Sequence, residues 1–335
     1  MKRLFLKITA AAAVGALVGG CGGTDSGDDV SPGTLLEVAG RSGVISALVP
    51  AARRAGLEAA LSAAGAGLTV IAPSNEAWGL LSGQLGFNSI QAMIDALPPA
   101  TLEAILRYHV LPTQLTREQL TAGGASQPTL LTQNGANVPL ALDFASGFQI
   151  TDPVGREAFA SLFNIVADNG LFHVIDRVLL PTGLLTVLQT LSSNPERFRG
   201  LLGAVDRAPN VAGSVPPSVR ATLGDASAQL TVFAPLNEAF EPPLEQTLAA
   251  LTPAQVDTVL RYHVLGQRVL SSQIPFGTPV ATASGQTITI LSNATPPAIA
   301  TIDDSTSTNA NIVVVDILAS NGVVHVIDKV LLPTL

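Results

Sequence analysis

One cysteine, one tryptophan, two tyrosines, two methionines and four histidines are all that the 335 residues contain of those types. A single cysteine leaves no intramolecular disulfide, so any core must hold by packing alone. Charged residues make up 13% and aromatics 4% against 47% hydrophobic residues, so the apolar content is mostly Ala, Val and Leu. This is a globular composition and not a disordered one. The sequence lacks G-x-S-x-G, H-E-x-x-H, a phosphate-cradling glycine loop followed by Lys-Ser/Thr, and a cysteine nucleophile in a protease-like setting. No catalytic residue, cofactor or metal is therefore expected.

What is present begins with Lys2, Arg3 and Lys7, followed by the uncharged run ITAAAAVGALVGG from Ile8 to Gly20 and then Cys21. Residues 1–20 read as a secretory signal. Thirteen apolar or small residues are too few to span roughly 30 Å of hydrocarbon as a helix. A lone cysteine in an exported chain is ordinarily a free thiol or an intermolecular bridge. Here Val18-Gly19-Gly20-Cys21 resembles the lipobox of bacterial lipoproteins, which implies acylation of Cys21 as the mature N-terminus. Gly22 is not the aspartate that retains such proteins at the inner membrane, so the outer membrane is the favoured placement. Residues 21–33 are polar and glycine-rich and suit a flexible tether. Removal of the signal leaves 14 Lys and Arg against 25 Asp and Glu, a formal charge of −11. That excludes nucleic acid as a natural partner and leaves membrane attachment to the lipid.

The chain is also written twice. NGLFHVIDRVLLPT (Asn169 to Thr182) returns as NGVVHVIDKVLLPT (Asn321 to Thr334), with eleven of fourteen positions identical. TVIAPSNEAW (Thr69 to Trp78) matches TVFAPLNEAF (Thr231 to Phe240), and ILRYHVL (Ile105 to Leu111) matches VLRYHVL (Val259 to Leu265). Three phrases in one order define a repeat of about 150 residues, the size of a whole domain. The expected domains are 34–182 and 183–335, joined with almost no linker at Pro181-Thr182-Gly183 and hence restricted in relative orientation.

Within each repeat the periodicity changes in a fixed order. Val44 to Gly65 suggests two short helices, LTVIAP a strand, and SNEAW a helix start capped by Ser74 or Asn75. PPATLEAILRYHVL is a further helix entered by Pro98-Pro99 and closed by Pro112. Beyond it the chain alternates in β fashion, as in QTITIL (Gln286 to Leu291) and NIVVVDIL (Asn311 to Leu318), and finishes with the strand FHVIDRVLL. Helices first and strands later imply an α+β domain whose early strand joins the late sheet.

TVFAPxNEAF, the Tyr-His pair and NGxxHVIDxVLLP together resemble the signature blocks of the fasciclin domain, from about Thr34 to Leu335. The resemblance implies two tandem fasciclin-like domains, each a wedge of β-strands with helices packed around it. It further implies an adhesion module displayed outside the cytoplasm, with a cell-envelope or matrix glycan or protein as partner. Trp78 stands where the usual residue is Phe. In animal relatives the Tyr-His region is associated with integrin binding, and only the possibility of a contact surface at Tyr108 and Tyr262 carries over.

All four histidines lie inside the repeated phrases. Leu102, Ile105, Leu106 and His109 share one helix face, and Val256, Val259, Leu260 and His263 repeat it, so both histidines are expected in the core and both tyrosines off the stripe. His173 shares a strand side with Leu171, Ile175 and Leu179, so His173 and His325 are also core candidates, with Asp176 and Asp328 on the other side. Val269 to Ile302 contains no ionisable side chain. Its Gln286, Thr287 and Thr289 are candidates for a neutral, hydrogen-bonding contact face. The alternative is a small-ligand binding protein with its site between the two domains.

Overall fold

The computed structural model describes residues 31–145, 147–210, 216–242, 244–292, 298–304 and 306–335. The signal, Cys21 and all but the last three residues of the tether lie outside the described residues. From Pro32 to Leu335 the chain forms one contact unit.

Three short helices open the first domain: α1 (Leu35–Arg41), α2 (Leu48–Arg54) and α3 (Glu58–Ser62). Strand β1 (Leu68–Pro73) follows, then α4 (Asn75–Gln84), α5 (Ile90–Ala96), α6 (Pro99–Tyr108), β2 (Val110–Leu111) and α7 (Arg117–Ala122). The remainder is sheet: β3 (Ser126–Gln133), β4 (Ala136–Asp143), β5 (Gln149–Thr151), β6 (Glu157–Ala167) and β7 (Gly170–Ile175). In the second domain α8 (Val187–Ser192), α9 (Pro195–Arg207) and α10 (Val219–Gly224) precede β8 (Leu230–Pro235). After a 3-10 turn at Asn237–Phe240 come α11 (Leu244–Ala250), α12 (Pro253–Tyr262) and β9 (Val264–Leu265). A second 3-10 turn at Ser271–Gln273 leads to β10 (Pro279–Ala281), β11 (Thr287–Leu291), β12 (Ala300–Asp303), β13 (Ala310–Ala319) and β14 (Gly322–Ile327).

Each sheet has seven strands, in the order β2-β1-β7-β6-β5-β4-β3 and its counterpart β9-β8-β14-β13-β12-β11-β10. The early strand pairs parallel with the last, Val70 opposite Phe172 and Val232 opposite Val324, and every other pairing is antiparallel. The two ends of each order approach one another, so each sheet is a nearly closed wedge. In the second domain Ala283 N–H donates to Val264 O across that seam at 2.7 Å.

Both faces of the last strand of the first domain are buried. From β7, Phe172 and Val174 join the helical core with Trp78, Leu102 and Ile105. Ile175 points the other way, into the wedge, with Tyr108, Leu140 and Ile150. The helix expected to run through His109 to Leu111 stops at Tyr108, because Val110 and Leu111 pair with Val70 and Thr69 as a short edge strand. The final strand is also shorter than its hydrophobic run, ending at Ile175. Ser74 caps α4 by accepting from Ala77 N–H at 3.1 Å. Leu236 holds the matching place in the second domain and has no oxygen to offer, and the chain there makes only a four-residue 3-10 turn before Glu241 and Pro242.

Candidate functional site

The phrase that closes each repeat is a set of structural fasteners. Asn169 Oδ1 accepts from Leu35 N–H at 2.8 Å, and its amide donates to Leu61 O and Ala63 O, both at 3.0 Å. One side chain thus satisfies an orphan donor at the start of α1 and two carbonyls at the end of α3. Asn321 repeats this with Val187, Leu223 and Asp225. A Cβ on Gly170 would overlap the Leu68 carbonyl, and one on Gly322 the Leu230 carbonyl, so the parallel strand pair requires glycine there. Asp176 accepts from Phe159 N–H at 2.7 Å, and Asp328 from Asn311 N–H at 2.7 Å.

The four histidines lie buried with both ring nitrogens engaged. His109 Nδ1–H donates to Ile105 O at 2.7 Å while Nε2 accepts from Leu179 N–H at 2.9 Å. His263 does the same with Val259 O and Leu331 N–H. Each ring must be neutral, since Nε2 is needed as an acceptor, and burial pulls both pKa values down to about 4. His173 Nε2–H donates to Leu115 O, and His325 Nε2–H to Val269 O, each at 2.9 Å. Burial lowers the pKa of these two as well.

The tyrosine contact surface expected from the sequence is not there. Tyr108 and Tyr262 are 0% and 1% exposed. The phenol of Tyr262 donates to Thr287 O at 2.9 Å, and that of Tyr108 to Pro139 O at 3.3 Å. Burial pushes the Tyr108 phenol above its ordinary range. The reason is that α6 and α12 lie between two cores, so the face beside the apolar stripe is covered by the wedge. Gln286 is committed too: its amide donates to Thr334 O at 2.8 Å and accepts from Thr334 N–H at 3.0 Å. Along β11, Ile288 and Ile290 point inward, leaving Thr287 exposed and Thr289 half-buried. Exposed apolar side chains on one strand were also missed. Phe159, Leu162 and Val166 on β6 are exposed, although FASLFNIV reads in sequence like a buried strand.

A second feature missed is the joint between domains. Arg156 is fully buried, its guanidinium bonded to Asp152 Oδ2 at 2.8 and 2.9 Å, to Val178 O at 2.5 Å and, across the joint, to Ser193 O at 3.4 Å. Arg177 reaches Glu196 at 2.6 Å and Asn194 donates to Val154 O at 3.4 Å. Gly183 N–H donates to Leu318 O at 2.9 Å. In the second domain the carboxylate matching Asp152 is Asp304, and its cation is Lys329, 3.1 Å from both oxygens. Lys329 matches Arg177 in the repeat. Because Arg156 neutralises Asp152 in the first domain, Arg177 is released to bridge to the second.

Among the described residues no three His, Cys, Asp or Glu side chains gather as metal ligands, and no helix is long and apolar enough to cross a membrane. The fasciclin domain model matches residues 43–181 and 217–333. Transforming growth factor-beta-induced protein ig-h3 of Sus scrofa is 26% identical over 269 residues, covering 79% of this chain and 34% of that protein. The chain thus spans about a third of that relative's length. Fasciclin-like arabinogalactan protein elcF of Phaeosphaeria nodorum is 28% identical over 275 residues, covering 79% of this chain and 78% of its own. Protein sll1483 of Synechocystis sp. is 33% identical over 150 residues, 44% of this chain and 73% of that protein. Among solved structures, a FAS1 domain pair from the insect cell adhesion molecule Fasciclin I aligns with a TM-score of 0.41 at 19% identity, covering 79% of this chain and 88% of that one. With both halves matched in tandem, the chain belongs to the fasciclin domain family.

Proposed function

We propose that this protein is an exported adhesion or binding protein, held to the cell envelope by lipid on Cys21, that presents two fasciclin domains to a cell-envelope or matrix glycan or protein. The observation that carries the reading is where the reactive side chains of the repeated phrases go. Histidines, tyrosines and the paired aspartates are all consumed by internal hydrogen bonds, which supports binding in preference to turnover. Neutral side chains are among those that face outward: Thr287 and Thr289 of β11, and Phe159, Leu162 and Val166 of β6. Such a face excludes no partner by charge repulsion and suits a hydroxyl-rich or strand-edge ligand. A small-ligand cleft between the domains has less support, because the joint is closed by Arg156, Ser193, Asn194 and Glu196.

A glycan and protein array probed with the two-domain protein tests this. Saturable binding is expected, and it should weaken when Thr287 and Thr289, or Leu162 and Val166, are changed to Glu while the melting temperature holds. Saturable turnover of a small molecule by the purified protein would overturn the reading.

A further inference from the structure

The two domains share a fold but differ in side-chain size at matching core positions, and the difference is concentrated in one place. In the first domain the space between α2, α5 and α6 is filled by Trp78, Leu81 and Met93, all buried. The repeated phrases match Trp78 to Phe240 and Ile105 to Val259, and laying α5 on α11 and α6 on α12 matches Met93 to Thr247 and Leu102 to Val256. Each replacement removes side-chain volume. From Trp78 to Leu102 is 24 residues, whereas from Phe240 to Val256 is 16, and the deletion takes the later turns of α4 with Leu81. Thr247 is exposed instead of buried.

The missing volume is visible as a hollow. Its closed end, about 20 Å³, is lined by Leu201, Val256, Val259, Leu260, His263 and Val330. That is room for about one water, and apart from Arg207 and His263 the lining is apolar. Phe240 and Leu248 border this end and also the open groove beyond it, which measures about 300 Å³ and runs along α9 past Gly200 and Gly203 to Arg199 and Arg207. Phe240 is therefore a plug between the cavity and the groove. It fits because position 200 is glycine: a Cβ there would stand 2.5 Å from the ring. A Cβ on Gly203 would meet nothing within 4 Å, so the groove floor is open.

Among the described residues the rim carries two cations and one acid. Arg207 holds the end of α11 by donating to Leu248 O, Ala249 O and Leu251 O at 3.0, 3.3 and 3.1 Å. Arg199 stands exposed at the groove, and Glu241 lies on the far side of Phe240. An apolar trough with a net positive rim is complementary to an alkyl chain ending in an anion. A volume of about 300 Å³ is at the small end of the range for small-molecule sites, roughly 300–1,000 Å³.

We propose that the second domain binds a medium-chain fatty acid, its alkyl chain along α9 against Phe240 and its carboxylate at Arg199. The site is confined to one domain and stands apart from the adhesive faces proposed above, so either reading survives failure of the other. In the first domain Trp78 fills the matching space, and one site per chain is expected.

Calorimetric titration of the purified protein with decanoate, below its micellar range, is the test. The expected result is saturable binding of one molecule per chain. Phe240→Trp, which restores the residue of the first domain, should abolish binding and raise the melting temperature. Gly203→Leu fills the groove from a helical position with free space, so it keeps the test decisive if the tryptophan variant does not fold; it too should abolish binding. Arg199→Gln should weaken decanoate about ten-fold, the worth of a charge-assisted hydrogen bond, and leave decanol unaffected. Absence of saturable decanoate binding, or binding unchanged in Gly203→Leu, would overturn the proposal and leave the hollow as loose packing only.

Discussion

Leu179 N–H donates to His109 Nε2, and Leu331 N–H donates to His263 Nε2, each at 2.9 Å. The closing phrase of each repeat thereby grips the Tyr-His phrase of the same repeat through an imidazole that must stay neutral. With folded pKa values of about 4 against an ordinary value near 6.5, the unfolded chain binds more protons between those limits. Stability from these histidines is therefore complete above about pH 6.5 and is lost as pH falls toward 4, at most about 3 kcal/mol for each. Denaturant unfolding measured from pH 7.5 to 5, where carboxylates titrate little, should show stability falling with pH. A flat profile over that range would contradict the neutral-imidazole assignment.

His109→Ala and His263→Ala should each lower stability by about 1–4 kcal/mol through the lost hydrogen bonds and the cavity left behind. Metal content should be the same in wild type and variants, measured by elemental analysis. Stoichiometric zinc or iron that disappears with either histidine would require a different account of these rings.

Much of this was legible in the sequence because the repeat supplies its own comparison. Three phrases in the same order mark two domains, and helical spacing places His109 and His263 inward. Tyr108 and Tyr262 were misplaced because a single apolar stripe predicts one buried face, whereas α6 and α12 are buried on two. The exposure of Phe159, Leu162 and Val166 was hidden for the converse reason, since apolar identity does not say which positions of a strand meet solvent. Arg156 gave no signal at all: Asp152 and Val178 close on it only in the folded first domain, and Ser193 only when the second is joined to it.

Arg156→Ala should lower stability by about 3–5 kcal/mol, because Asp152 would be left charged and buried without its cation. It should also loosen the joint, since Ser193 O loses its donor. Small-angle scattering should then report a broader range of interdomain distances than wild type. Pairing it with Asp152→Asn should recover part of the loss in stability, because no uncompensated charge remains. If the single variant melted like wild type, the buried pair would have no structural role.

Gly170→Ala and Gly322→Ala test the parallel strand pair. Neither position needs a left-handed backbone, so the penalty is steric: the new methyl would meet the carbonyl of Leu68 or Leu230. Each change should destabilise by about 2 kcal/mol or more, the scale of overpacking that only a backbone shift can relieve. Thermal unfolding followed by circular dichroism would register this, and an unchanged midpoint would mean that the strands can separate at no penalty.

The last prediction concerns the anchor. Gly33 N–H donates to Asp168 Oδ2 at 3.1 Å and Gly33 O accepts from Asp168 N–H at 2.9 Å, which ties the end of the tether to the folded body. Between Cys21 and Gly33 lie only polar, small and proline residues apart from Val30. Twelve residues of extended chain reach at most about 40 Å, enough to hold the two domains clear of the headgroups while keeping them close to the membrane. Cys21→Ser should abolish acylation and move the protein from the membrane fraction to the soluble fraction or the medium. The glycan and protein binding of the released protein should be unaltered, because the faces proposed for contact lie on the sheets and not on the tether. Unchanged membrane fractionation of the variant, with the signal otherwise cleaved, would rule out the lipid as the anchor and would leave the adhesive faces to be tested separately.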